Sequence, residues 1–335
     1  MRRALVTGGA GFLGSHLVDH LIAKGVKVTV LDDLSGGLRE NVNRRANFIK
    51  GSIVSPKAVD RAMKRVDVVF HLAADAREGL SFFRPVHIAN VNYTGSSNLL
   101  RAALSFGVDR FVFTSSMARY GTQPTLPFVE SMTPKPQDPY GLGKLAFEQL
   151  LEIYQKVFGL DYSVLIPHNI YGPRQYMRDP YRNAIAIFMN RILHGKPPLV
   201  YGDGRQVRDF SYVSDCVPII AKAGTDRRAA NEVFNIGPDT DPITLNRLAR
   251  EVIRVTGFKG KAEHLPARPG EVKFAWCSSR RARTRLGYKH KVPLDEGLHA
   301  MWQWARNRGP QSWAYLPRFE IENELTPRVW RDRMI

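Results

Sequence analysis

Short apolar runs alternate with stretches of helical period through the first half of the chain. The runs Ala4-Leu5-Val6-Thr7, Val26 to Leu31, Asn47 to Lys50, Val66 to Leu72, Arg110 to Thr114 and Asp161 to Ile166 have the length and composition of buried strands. Between them, the spacing of apolar positions predicts helices over Gly14 to Lys24, Ser55 to Met63, Tyr93 to Phe106 and Tyr140 to Phe158. Strict alternation of strand and helix predicts βαβ units closing a doubly wound parallel sheet. After about Asn169 the rhythm changes to stretches punctuated by proline and glycine. Helices are expected there at Asn183 to His194, Val213 to Ala223, Leu245 to Thr256, Ser279 to Leu286 and Pro293 to Arg308, with strands at Leu199 to Tyr201 and Val233 to Ile236. The expected organisation is a first domain over 1–168, a smaller α/β cap over 169–308 with some strands and helices exchanging between the two, and an appended tail over 309–335 that lacks a clear period.

Composition sharpens this picture without redirecting it. A chain of 335 residues that is 44% hydrophobic can bury a large core, and no uncharged apolar run is long enough to span a membrane. The start Met1-Arg2-Arg3 runs directly into Ala4-Leu5-Val6, without the three regions of an export signal, so the expected compartment is the cytoplasm. Two cysteines far apart, Cys216 and Cys277, predict buried thiols and no metal site. The net charge of +18 invites polyanions, but the basic residues are dispersed and no nucleic-acid-binding motif accompanies them. A redox- or RNA-associated binding module is therefore the weaker expectation.

Candidate chemistry begins at the first strand–helix junction, Thr7-Gly8-Gly9-Ala10-Gly11-Phe12-Leu13-Gly14. Glycines there permit a tight turn and close approach of a pyrophosphate, and the helix start offers free N–H groups to it. Asp32 ends the second strand, where a carboxylate accepts hydrogen bonds from both adenosine ribose hydroxyls and repels the extra phosphate of NADP. NAD is the expected cofactor, although the nearby Arg39 is a residue type that accommodates that phosphate.

A second constellation follows. The fifth strand leads into Thr114-Ser115-Ser116, and a later helix opens with Tyr140-Gly141-Leu142-Gly143-Lys144. Tyrosine and lysine four residues apart share one helix face, so the ammonium is expected to acidify the phenol and hold the nicotinamide ribose. Ser116, at a strand's carboxyl end, is placed to hydrogen-bond the same sugar hydroxyl. In this order the motifs resemble the extended short-chain dehydrogenase/reductases, and in particular their nucleotide-sugar epimerase and dehydratase branch.

The resemblance extends to about Arg308 and implies further roles. Phe70-His71-Leu72-Ala73-Ala74 is similar to the branch's fourth-strand loop beside the cofactor, and Asn92 to Gly95 to its following helix start. It implies that Phe12, Leu13, Asp33, Ser52, Ile53 and Pro167 join Gly8, Gly11 and Asp32 around NAD; Ser52 stands where relatives often carry an adenine-binding aspartate. His168-Asn169-Ile170-Tyr171-Gly172-Pro173, Val207-Arg208-Asp209-Phe210 and Arg268-Pro269-Gly270-Glu271 resemble substrate-side segments. They imply that Asn169 bonds the diphosphate side, that Arg208 and Arg268 clamp phosphates and ribose, and that Arg77, Ser116, Met117, His168 and Arg178 contact the substrate.

The implied reaction is transient oxidation of a nucleotide-diphosphate sugar, most readily a UDP-sugar, by bound NAD. Dehydratases of the branch usually place an Asp-Glu pair just after the strand-end hydroxyl residue, and decarboxylases commonly keep the glutamate; here Met117 and Ala118 stand there and cannot exchange protons. Plant-type GDP-mannose 3,5-epimerases, which the sequence also resembles, use a cysteine and a lysine where Ala118 and, approximately, Arg178 fall. A 4-epimerase is the leading expectation, with a dehydratase or other multi-step enzyme of the branch as the alternative. A homodimer through the helices over Asn92 to Phe106 and Tyr140 to Phe158 is expected by the same resemblance.

Overall fold

The computed structural model describes residues 1–239 and 242–335. Seven parallel strands form its main sheet: β1 (Arg3–Thr7), β2 (Lys27–Asp32), β3 (Asn47–Lys50), β4 (Val68–His71), β5 (Arg110–Thr114), β6 (Asp161–Pro167) and β7 (Glu232–Ile236). Their order across the sheet is β7-β6-β5-β4-β1-β2-β3. The order reverses direction between β1 and β4, which pair from Ala4 with Val68 to Thr7 with His71, and ligands bind above such a reversal at the strands' carboxyl ends.

Alternation along β1 shows how the sheet separates two cores. Ala4 and Val6 join Leu17, Val18 and Leu21 of the helix Phe12–Ala23 and Val217 and Ile220 of the helix Val213–Ala223. Leu5 faces the other way, toward Val59, Leu99, Phe111, Phe147 and Leu151. Each face therefore buries a full helical layer, the condition under which a parallel sheet is stable.

Two expectations about elements change, and one becomes specific. The strand at Val233 to Ile236, set among the elements after Asn169, is one of those that exchange between the two parts: it completes the main sheet, pairing Glu232 with Ser163 through Ile236 with Pro167. A short run such as Val233 to Ile236 specifies a strand but not its partner. The helix expected from Tyr93 starts as a wider π-type turn over Asn90–Gly95 and becomes regular only at Ser96–Ser105; the Ser96 hydroxyl donates to the Asn92 carbonyl at 2.6 Å beside Gly95. The segment 309–335, expected as an appended tail without a clear period, folds back, burying Trp330 and Ile335 with Leu80, Phe83, Tyr181, Ile187 and Leu199.

Residues after Asn169 build a second cluster from the helices Ala184–Leu193, Leu245–Thr256 and Leu294–Arg308, with Phe188, Leu248 and Met301 at its centre. Short strands brace it: Leu199–Tyr201 pairs with Glu263–Leu265, and Val207–Arg208 lies between Ile243–Thr244 and Phe274–Ala275. No helix among the described residues is long and apolar enough to cross a membrane.

Candidate active site

A cleft with a volume of about 750 Å³ runs from the carboxyl ends of β1 and β2 to the cluster built after Asn169. Its first wall is the glycine turn. Gly8 has φ +73°, and a Cβ there would sit 2.8 Å from the Ala73 nitrogen; one on Gly14 would sit 2.1 Å from the Gly8 carbonyl oxygen. Only glycine lets the helix Phe12–Ala23 close onto this turn. No side chain caps the helix start at Gly11, so its N–H groups are free to meet an anion, and Gly11, Phe12 and Leu13 line the cleft.

Asp32 is held at the end of β2 by N–H groups of Ala10 at 2.9 Å and Leu34 at 2.8 Å. Burial pushes its pKa up against those hydrogen bonds, and a ribose diol offers further donors to the same carboxylate. Asp33, Ser52, Ile53, Leu72, Ala73, Ala74 and Pro167 line the same half of the cleft. Thr7 organises the crossing, accepting from the Ala73 N–H at 3.2 Å while bonded to His71 Nδ1 at 2.8 Å. Asn92 departs from expectation. It is 2% exposed and spends its amide on Asp75, accepting from its N–H and donating to its carbonyl, so it shapes the loop after β4 without lining the cleft. Arg39 lies over the Phe48 ring, 4.6 Å from its centre, and is absent from the cleft wall.

The helix Pro139–Phe158 carries the second wall. Asp138 caps it, accepting from the Gly141 N–H at 2.8 Å, and Pro139 fits its first turn. One face buries Tyr140, Lys144, Phe147, Glu148 and Leu151. The Ser116 hydroxyl stands beside the Tyr140 phenol, and both line the cleft. Lys144 donates to the Thr114 carbonyl at 2.8 Å, 5.9 Å from the centre of the Tyr140 ring.

The expectation that the lysine acidifies the phenol is not met. Burial drives Tyr140 up to about 12, with the Ser116 hydroxyl and the Arg182 charge pulling it only partly back. Burial likewise drives Lys144 down to about 7, so its ammonium is a weak source of field near neutral pH. Glu148 restrains that fall from one helical turn away, itself paired with Arg119 at 2.7 Å.

The substrate-side residues divide. Asn169 takes φ +37°, a backbone conformation asparagine tolerates better than most, and its amide donates to the Asp209 carbonyl at 2.8 Å beside the Met117 sulfur. Arg208 lines the cleft while donating to the Val272 carbonyl at 2.6 Å, and Arg268 lies over the Tyr201 ring at 4.5 Å with Glu271 at 3.0 Å. Arg77 reaches the cleft, but its guanidinium is held by Asp179 at 2.8 Å and Asp75 at 3.1 Å.

Two expected contacts are corrected. His168 is fully buried and turned toward Asp209, its Nδ1 3.4 Å from a carboxylate oxygen, so it cannot reach a sugar. With Cys277 it forms a buried cluster of three metal-ligating types, whereas the sequence led us to expect none. Arg178 lies off the cleft; its Nε donates to the Ser312 carbonyl at 3.1 Å.

The reading from sequence also missed residues. Glu78 and Arg182 both line the cleft. Burial raises the Glu78 pKa against the charges of Arg208, Arg268 and Arg182. Asp138, beside it, is driven to about 7 by burial and by Glu78. Glu78 and Arg182 sit on short or irregular segments with no periodic signature, so only the fold brings them to Tyr140, whereas Asp138 precedes it by two residues as the helix cap.

Fold and site together define the extended short-chain dehydrogenase/reductase class: a dinucleotide turn, a strand-end serine, and a tyrosine and lysine on one helix face. The model of the NAD dependent epimerase/dehydratase family matches residues 4–237, and the chain belongs to that family. It is an NAD-dependent enzyme. A UDP-glucose 4-epimerase of Mycolicibacterium smegmatis is 37% identical over 315 residues, covering 91% of this chain and 99% of the relative. The crystal structure of a UDP-glucose 4-epimerase with UDP-glucose from Thermotoga maritima is 39% identical with a TM-score of 0.86, covering 91% and 99%. A UDP-N-acetyl-alpha-D-glucosaminuronate decarboxylase of Bacillus cytotoxicus is 34% identical over 274 residues, 79% of this chain and 84% of the relative. Similarity therefore spans more than one reaction.

Proposed function

We propose that the chain is a 4-epimerase of nucleotide-diphosphate sugars, with a UDP-sugar as substrate. The observation that carries this reading is the pairing of Ser116 and Tyr140 on the wall of the cleft, with Met117 and Ala118 next in the chain, whose side chains hold no exchangeable proton. NAD, held at the glycine turn and Asp32, would supply the hydride acceptor and donor and, while oxidised, a positive charge that offsets the burial of the phenol. Tyr140 takes the proton of the C4 hydroxyl as the C4 hydrogen leaves as hydride, and Ser116 donates to the sugar oxygen. The 4-keto sugar turns over and receives the hydride on its other face. Tyr140 returns the proton, so atoms and electrons balance without an external reductant.

In this reading residues 1–168 hold the cofactor and the segment after Asn169 holds the nucleotide. Two copies pair through the helix Pro139–Phe158, which leaves Ile153, Val157 and Phe158 more than half exposed. A dehydratase is the second reading, favoured by Glu78 and Asp138 as protonatable carboxyls near Tyr140. Incubation with UDP-, GDP-, dTDP- and CDP-sugars separates them. A C4 epimer of unchanged mass supports epimerisation; loss of water transfers the assignment to the second reading.

A further inference from the structure

The segment 309–335 has no role in the reaction above, yet it is fastened at many points. Asn190 and Gln311 exchange hydrogen bonds at 2.8 and 2.9 Å. The Ala314 N–H donates to the Arg178 carbonyl at 2.7 Å, and the Leu316 N–H to the Tyr181 hydroxyl at 2.9 Å. Further on, the Glu320 carboxylate accepts from the N–H groups of Val86 and His87, while the backbone N–H groups of Glu320 and Ile321 donate to the Phe83 carbonyl. The segment thus ties the loop around Arg178–Arg182 to the loop around Arg77–His87. Both loops line the substrate half of the cleft.

Trp330 is the keystone of this strap. It is 2% exposed and packs edge-on against Tyr181 and Phe83, with ring centres 5.4 and 6.2 Å away. Beyond Gly79, where a Cβ would lie 3.5 Å from the indole, stands Arg268, 3.7 Å from the same point. The indole N–H faces the Tyr201 hydroxyl, a phenol that burial pushes up to about 12 against the pull of the Arg268 charge and then of the indole N–H. Among the described residues, neither Trp330 Nε1, Tyr201 Oη nor Arg268 Nε has a hydrogen bond of good geometry, although all are buried. Three unspent polar groups converge behind the cleft wall that Tyr201 and Arg268 form, and Leu316 and Ile335 of the segment reach that wall themselves. The relatives' matched lengths cover 99% of them but only 91% of this chain, which leaves room for a segment of this size in addition to the shared enzyme.

We infer that residues 309–335 are a built-in wall of the substrate half of the cleft, and that Trp330 is a positioning residue that sets Tyr201 and Arg268 for a nucleoside diphosphate. This rests on the nucleotide-sugar reading for its ligand, but not on which reaction the sugar undergoes. The probe is UDP alone. In the full-length protein, UDP slows amide hydrogen exchange over 313–319 and 328–335; unchanged exchange there at saturating UDP overturns the inference. Trp330→Ala weakens UDP binding at least tenfold while NAD affinity stays within twofold, and Trp330→Phe recovers most of the loss. Equal UDP affinity in the wild type and the alanine variant overturns it as well. Should Trp330→Ala fail to fold, seen as lost NAD binding, the exchange measurement on the wild type decides. Turnover failing while UDP binding still depends on Trp330 sinks the epimerase reading alone; turnover surviving Trp330→Ala unchanged in KM, with no tightening of exchange, sinks this inference alone.

Discussion

The two halves of the cleft are built on different physical terms. The cofactor half is backbone: a glycine turn into which no Cβ fits, an uncapped helix start, and one carboxylate held by two N–H groups. The substrate half is side chains: Arg77, Arg182, Arg208 and Arg268 set against Asp75, Glu78, Asp179 and Glu271 across irregular loops. Backbone geometry of this kind is specified by short-range sequence. Charged side chains on loops exchange partners readily, which suits a family that keeps one cofactor and varies its sugars.

This contrast can be broken at several points. The largest effect is expected at the junction itself. Tyr140→Phe should lower turnover by about a thousandfold, as removal of a general acid–base does, while calorimetry finds NAD still bound. Unaltered turnover would remove the phenol from the mechanism.

In the cofactor half, Gly14→Ala forces a Cβ to 2.1 Å from a backbone oxygen. It should cost about 1–3 kcal/mol of stability and abolish measurable NAD binding, whereas a substrate-half change such as Arg208→Lys should raise KM for the nucleotide sugar about tenfold and spare NAD. Equal loss of both ligands in both variants would erase the distinction.

A pH effect comes next. Lys144 titrates near 7 in the fold and near its ordinary 10.5 when unfolded. Between those values the unfolded chain binds more protons, so this residue makes stability rise with pH over that window. Lys144→Met should flatten the rise in urea melts recorded from pH 7 to 10; an unchanged slope would show the ammonium to be better solvated than its burial suggests. The smallest effect belongs to the helix start, where Asp138→Ala should cost about 1 kcal/mol from the lost cap. Relief of a carboxyl held near 7 by burial and Glu78 reduces that loss above pH 7, and chemical denaturation at pH 5 and 8 measures the difference.

The same contrast governs how much was legible from sequence. The strands Asn47–Lys50 and Arg110–Thr114 and the helices Val213–Ala223 and Leu245–Thr256 stand where the apolar spacing put them, because local period and caps determine such ends. The glycine run and the Tyr140–Lys144 spacing were readable for the same reason. Partnerships across the chain were not. Nothing within Glu232–Ile236 says that it pairs with β6, nothing in the aperiodic segment around Trp330 says that it covers Tyr181, and Glu78 meets Arg208 and Arg268 only through the fold. His168 shows the converse. Its neighbour Asn169 faces the cleft, and a one-residue step at a strand's end turned the histidine inward. The phenol's acidity was misjudged because spacing reports proximity to a lysine but not the burial both groups share.

The central claim is that hydride leaves C4 of the sugar and returns to the same carbon while Tyr140 handles only the hydroxyl proton. A UDP-sugar carrying deuterium at C4, turned over to equilibrium in ordinary water and read by NMR, tests it directly. The account predicts an epimer that retains its deuterium at C4 in the wild type and almost no product with Tyr140→Phe. Deuterium washed out to solvent during epimerisation would contradict it, because the C4 hydrogen would then have left as a proton.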